Sequence, residues 1–324
     1  MRKKIFLFGM GSLLIAGLSE RTFAATVTKP DPIELAAEPA PIIGRWDITV
    51  DINGKSAPAW LEVKLSGVKT LVGYFVSTAG SARPVSEVKF ADGRFKFEIP
   101  PQWESGASNL VIEGNLTDSG IQGKMTDCNG KEYSWKGVKA PYLKRTAAPA
   151  WGKPINLFNG KDLSGWKTNG QSQWVVKNGI LTSPKAGINL ITEQKYNDFK
   201  LHVEFKYAEG GNSGVYLRGR YEVQIEDSKK DAHPNSVLFG GVYGFLAPNE
   251  MATLGPDQWQ TYDITLVGRL VTIVANGKTI ISNQEIPGIT GGALDSNESE
   301  AGPIYLQGDH APIEFRKIVI TPAK

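Results

Sequence analysis

The chain has one cysteine and three histidines among 324 residues, and no long apolar run beyond its first 24. A lone cysteine, Cys128, excludes an intrachain disulfide and a cysteine-built zinc site, and reads as a small buried apolar residue. His202, His233 and His310 lack the close spacing of metal ligands. The loop that holds Asp227, Asp231 and His233 reads as solvated. There is no Gly-x-Ser-x-Gly elbow, no phosphate-binding glycine loop and no dinucleotide fingerprint, which removes the α/β-hydrolase, nucleotide and NAD-dependent classes. No segment sustains a helical period, so the pattern is that of a β protein.

The one apolar run lies in the leader. MRKKIFLFGMGSLLIAGL places three positive charges ahead of an apolar stretch too short to span a membrane, and Thr22 and Ala24 suit a signal-peptidase cut before Ala25. Residues 1–24 are therefore expected to be a signal peptide, with the product periplasmic or secreted and without a transmembrane segment after cleavage. No cysteine lies near the cut to take a lipid. The leader carries four basic residues and one acidic one, so its removal takes the net charge from +3 to zero. A neutral product gives no footprint for nucleic acid.

Two Pro/Ala-rich stretches divide the remainder. Residues 25–42 (ATVTKPDPIELAAEPAPI) read as a tether, and APYLKRTAAPAWGKP at 140–154 contains a linker at 141–153. Between them, residues 43–140 hold short alternating runs bounded by Gly, Asn-Gly, Asp-Gly or Pro, with a hairpin signal at Asp92-Gly93. The expectation is a small all-β domain, barrel or sandwich, in which Trp60 and Trp103 serve packing. Residues 154–324 hold around nine strand-like runs, Asn-Gly turns at 178–179 and 276–277, and long loops at 228–256 and 285–302. That pattern suggests a two-sheet jelly roll with a site bordered by the loops.

Side chains two apart on a strand share a face. In FKLHVEFKY, His202, Glu204 and Lys206 share one face and Leu201, Val203 and Phe205 the other; in YEVQIED, Glu222, Gln224 and Glu226 form a second polar row. Tyr216 and Arg218 extend such a row in the strand between. Histidine, glutamine and tyrosine in these rows favour a site over a plain solvated face. An ordinary two-carboxylate glycosidase is harder to build. Glu222 and Glu226 would stand roughly 13 Å apart at about 3.3 Å per residue, against about 5–5.5 Å for retaining and about 6.5–9.5 Å for inverting enzymes. A Glu204–Glu222 pair across strands stays open until the register is known.

Taken together, INLFNGKDLSGWK (155–167), WVVKNGIL (174–181), GGNSGVYLRGRYEVQIEDS (210–228), WQTYDI (259–264) and GPIYLQGDHAPIEFRKIVI (302–320) resemble the 3-keto-disaccharide hydrolase family over residues 154–322. The resemblance implies a concanavalin A-like jelly roll that cleaves glycosides already oxidised to a ketone at C3. A 3-keto group acidifies the C2 proton, so a base can remove it, the C1 substituent can leave by β-elimination, and water can add to the enone. This route needs one base, an enolate stabiliser and help for the leaving group. It does not need two carboxylates at glycosidase spacing.

Carried over position by position, the resemblance implies Glu222 or His310 as the base, with Glu204 at the acidic position of the preceding strand. Arg218 stabilises the enolate, a role that a divalent cation could take instead. Asn212, Gln224, Tyr216 and Asp227 bind the sugar. This chain reads LQGDHAPIEF where the family form is closer to Leu-Gln-Asp-His-Gly, a departure at Gly308. The rival reading is a non-catalytic, lectin-like carbohydrate-binding protein, since jelly rolls host both.

Overall fold

Asn-Gly and Asp-Gly pairs set the strand order by closing two-residue hairpins. Asp92-Gly93, Asn178-Gly179 and Asn276-Gly277 all carry positive φ at both positions, as does Asn53-Gly54, the geometry that matches strand twist. The computed structural model describes residues 39–231 and 233–324, and every regular element among them is a β-strand. The expected leader, and the expected tether up to residue 38, lie outside the described residues.

The first nine strands are β1 (Gly44–Ile52), β2 (Lys55–Ser66), β3 (Thr70–Val76), β4 (Arg83–Val85), β5 (Lys89–Ala91), β6 (Arg94–Ile99), β7 (Leu110–Thr117), β8 (Gly120–Thr126) and β9 (Glu132–Lys139). They form one antiparallel sheet in the order β4-β3-β2-β1-β9-β8-β7-β6-β5. Its ends curl until β4 lies near β6, giving an incompletely closed barrel rather than a sandwich. Trp46, Phe75, Phe95, Phe97 and Trp135 fill it.

Thirteen more strands follow: β10 (Ile155–Asn156), β11 (Trp166–Lys167), β12 (Val175–Lys177), β13 (Ile180–Ser183), β14 (Leu190–Tyr196), β15 (Phe199–Tyr207), β16 (Asn212–Leu217), β17 (Tyr221–Glu226), β18 (Gln260–Val267), β19 (Leu270–Ala275), β20 (Lys278–Glu285), β21 (Gly302–Leu306) and β22 (Ile313–Pro322). They make two antiparallel sheets, β12-β13-β22-β15-β18-β19-β20 with β10 on β22, and β11-β14-β21-β16-β17. The inward rows Leu201, Val203 and Phe205 of β15 and Tyr221, Val223 and Ile225 of β17 meet in a single core between the sheets. Each such side chain contributes about 1.5–3 kcal/mol on burial.

Residues Pro41–Lys324 form one compact unit. Trp60 of β2 is fully buried in the core of the jelly roll, edge-on to Phe245 with ring centroids 5.2 Å apart. A side chain on Gly288 would overlap the Trp60 indole, so glycine is needed for this close approach. Arg45 pairs with Glu285, and the Thr49 and Ser296 hydroxyls are 3.1 Å apart. The long segment between β20 and β21 is thus clasped by the first sheet.

Candidate active site

The smaller jelly-roll sheet has one face in the core. On the face turned away, the register aligns residues into rows. Tyr216 pairs with Tyr305 on one side and Glu222 on the other, so Tyr305, Tyr216 and Glu222 run across three strands. One pleat further, Gly214 pairs with Gln224 and its carbonyl accepts the Gln307 N–H at 2.9 Å. This second row reads Gln307, Gly214, Gln224, and its middle member has no side chain. The gap is a pocket of about 200 Å³ lined by Asn212, Tyr216, Glu222, Gln224, Gln307 and His310, among others. A Cβ at Gly214 would overlap the Glu222 carboxyl, so glycine is what lets that carboxyl lie on the pocket floor.

Glu222 is 3 % exposed, and burial pushes its carboxyl up to about 8. The hydrogen bond with Tyr216 and the charge of His310 pull the other way and are outweighed. Tyr216 Oη is 2.8 Å from Glu222 Oε2 and 2.9 Å from the Gly291 carbonyl oxygen. One phenol proton cannot serve two acceptors well; both contacts are satisfied when Glu222 is itself protonated and donates to Tyr216. Proton counting and burial agree on a neutral acid. Tyr216 is fixed from its other side by Tyr305, whose ring stacks on it at 4.1 Å and 9°.

His310 reaches the pocket from the turn after β21. Its Nδ1 is 2.6 Å from Asp309 Oδ1, and that bond raises the imidazole above its ordinary 6.5. With Nδ1–H donated to the carboxylate, Nε2 keeps its lone pair. Gly308 secures the turn: its N–H donates to Asn189 Oδ1 at 2.8 Å, and its carbonyl accepts from Gly187 N–H at 2.8 Å. The same Asn189 donates to the Tyr305 hydroxyl at 2.7 Å. The extra glycine therefore docks the His310 turn against residues 187–189.

Two amide oxygens at the pocket, Gln224 Oε1 and Gln307 Oε1, are buried without a partner. Buried acceptors are rarely left open, and ligand hydroxyls are the donors that such a pocket can admit. Gln224 is held in place by its own Nε2–H, which donates to the Val237 carbonyl at 3.2 Å.

Five of the eight residues predicted from sequence, Glu222, His310, Gln224, Asn212 and Tyr216, line this pocket. Three do not. Strand alternation stops at Leu217, and Arg218 has φ +54°, which turns its guanidinium away onto Tyr221 Oη (2.9 Å) and the Gly268 carbonyl (3.0 Å). It is a buried cation outside the pocket lining, away from the position that an enolate stabiliser would take there. Glu204 lies on β15 in the other sheet, which rules out a Glu204–Glu222 pair. Partial burial opposes its ionisation, but bonds from Arg316 and His202 prevail and hold its carboxyl below the ordinary value. Asp227 accepts the Gly210 N–H at 2.9 Å and closes the turn between β15 and β16. Gln307, Asp309, Tyr305 and Tyr243 join the pocket without having been singled out; Tyr305 and Gln307 were legible as the period-two row of GPIYLQ. Ala79 and Gly80 of the first sheet also line it. Among the described residues no three His, Cys, Asp or Glu side chains converge to hold a cation, so the donor set does not match a protein-built metal cage.

Comparison with known proteins adds three findings. Residues 153–321 match the model of a family described as the 3-keto-alpha-glucoside-1,2-lyase-like domain. A 3-keto-disaccharide hydrolase of Bacteroides thetaiotaomicron is 32% identical over 97 residues, 26% of this chain and 32% of that protein, so the match spans about a third of the relative's length. A candidate glycosyl hydrolase of Parabacteroides distasonis, known from a crystal structure, is 30% identical, with 55% of this chain and 92% of that one covered at a TM-score of 0.44.

Proposed function

The chain belongs to the 3-keto-alpha-glucoside-1,2-lyase-like domain family, and from that premise we propose that it cleaves glycosides carrying a ketone at C3, by elimination and hydration. One observation carries the reading: a buried carboxyl, pushed up to about 8 by that burial, shares a small pocket with a carboxylate-backed histidine and two unpartnered amide oxygens. Perturbed acid and base in one cleft is the pattern of proton-transfer catalysis rather than of sugar binding alone.

In this scheme the substrate hydroxyls donate to Gln224 Oε1 and Gln307 Oε1. The N–H groups of Asn212 face the C3 oxygen, where negative charge gathers as C2 loses its proton. His310 Nε2 takes that proton, with Asp309 stabilising the imidazolium. The C1–O bond breaks as the C1–C2 double bond forms, and Glu222 protonates the departing oxygen. Tyr216 then swings its hydrogen bond from Gly291 to the new carboxylate. Water adds its hydroxyl to C1 and gives a proton to Glu222, while the imidazolium returns a proton to C2. The sum is hydrolysis, and both groups are reset.

The expected leader supports a periplasmic or secreted enzyme, and the family match supports a carbohydrate partner. The reading is tested by incubating the protein with 3-keto-trehalose and with simple 3-keto-glucosides. Release of free sugar from these, and not from trehalose, supports it; calorimetric binding without release supports the lectin-like alternative.

A further inference from the structure

We propose that the first β-sheet is part of the active site: the turn at Ala79-Gly80, between β3 and β4, forms the pocket's outer wall and sets the size of aglycone that the site accepts. This rests on the glycoside-cleaving reading above.

The turn lines the same pocket as Glu222 and His310, although about 140 residues separate it from Glu222 along the chain. It is held on three sides. Gly80 has φ +83°, and a side chain there would overlap the Trp103 ring. The Arg83 guanidinium lies 4.6 Å over the same ring and bonds Glu104 at 2.8 Å, with Arg83 itself 1 % exposed. A Cβ built on Gly244 would come 2.6 Å from the Ala82 backbone nitrogen. On the third side a Cβ on Gly291 would overlap the Gly80 carbonyl, so the two backbones touch.

That contact matters because the Gly291 carbonyl accepts from Tyr216, which in turn meets Glu222. Next to it, Thr290 Oγ1 accepts the Glu222 N–H at 3.0 Å. The wall therefore backs the segment that orients the acid. Ala79 differs from Gly80 in being exposed at the rim of the pocket, where its methyl leaves the mouth open. A larger residue there would project across the entrance without disturbing the packed Gly80–Gly291 contact. The C1 substituent is the part of the substrate that varies in size, and it is the part a rim can sense.

The test compares the full chain with Ala79→Trp and with Val68→Trp, a control at a site 92% exposed in the turn between β2 and β3. Each is assayed on methyl 3-keto-glucoside and on 3-keto-trehalose. Ala79→Trp is expected to lower the ratio of kcat/KM for the disaccharide to that for the methyl glycoside by tenfold or more, with Val68→Trp leaving it unchanged. An unchanged ratio in Ala79→Trp overturns the proposal. If the parent protein cleaves neither compound, the hydrolase reading has failed. The wall is then judged on the Kd ratio of the same two compounds by calorimetry, a tenfold shift in Ala79→Trp upholding it and no shift, or no binding of either sugar, overturning it.

Discussion

Tyr216 Oη stands 2.8 Å from Glu222 Oε2 while also 2.9 Å from the Gly291 carbonyl, so the phenol has one proton between two acceptors and Glu222 supplies the second. Glu222 is in this way a stored proton on the floor of a sugar-sized pocket.

The pH profile follows. Activity needs His310 neutral and Glu222 protonated. kcat/KM should therefore rise through an apparent pKa above 6.5 and fall through one near 8, values that belong to the pair. Glu222→Gln keeps the shape but loses the proton, and the rate should drop about 10²–10⁴-fold. The falling limb should vanish and the rising limb persist. If the rising limb vanishes instead, Glu222 is the base and His310 the acid.

Gly214→Ala places a methyl where the Glu222 carboxyl lies. The strand should keep its pairing, so Tm should change little while kcat falls by at least tenfold. Full activity in this variant would show that the carboxyl is not held on the pocket floor.

Arg218→Met tests a correction. The guanidinium is buried on Tyr221 and Gly268 with two nitrogens unpartnered, away from the pocket. Its loss should change kcat less than tenfold, whatever happens to Tm. A loss comparable to that of Glu222→Gln would return Arg218 to the chemistry.

The contact between the two sheet systems should make stability depend on pH. Asp47 of β1 is 5 % exposed, and burial, reinforced by the charge of Glu298, pushes its carboxyl from 3.8 up to about 9. A group raised in the folded state contributes stability that is fully present below its unfolded value and is lost as pH rises through the folded one. Asp47's contribution to Tm should accordingly fall as pH rises from about 4 to about 9, and Asp47→Asn should flatten that slope. An Asp47→Asn protein with the parent slope would remove Asp47 from the account.

Much of this was visible in the residues. Asn-Gly and Asp-Gly pairs marked the hairpins because few other residues take positive φ twice running. The Glu222–Gln224 row was visible because strand period is two. Glu204 obeys the same period yet lies in the other sheet, since alternation gives the face of a strand but not the sheet that it joins. Arg218 was misread because the alternation ends one residue earlier, at a turn that only φ reveals. The Gly80–Gly291 contact joins segments about 210 residues apart, and nothing local to either records the other.

The central claim is the loss and return of the C2 proton. Cleavage of 3-keto-trehalose in D2O, with C2 of the released 3-keto sugar read at early times against the free sugar's own exchange, tests it most directly. The His310 side chain is 52% exposed, so its imidazolium exchanges with solvent before it returns a proton. One deuteron at C2 per turnover is the expected result. Product unlabelled at C2, together with hydrolysis of unoxidised trehalose, would contradict elimination and point to displacement at C1.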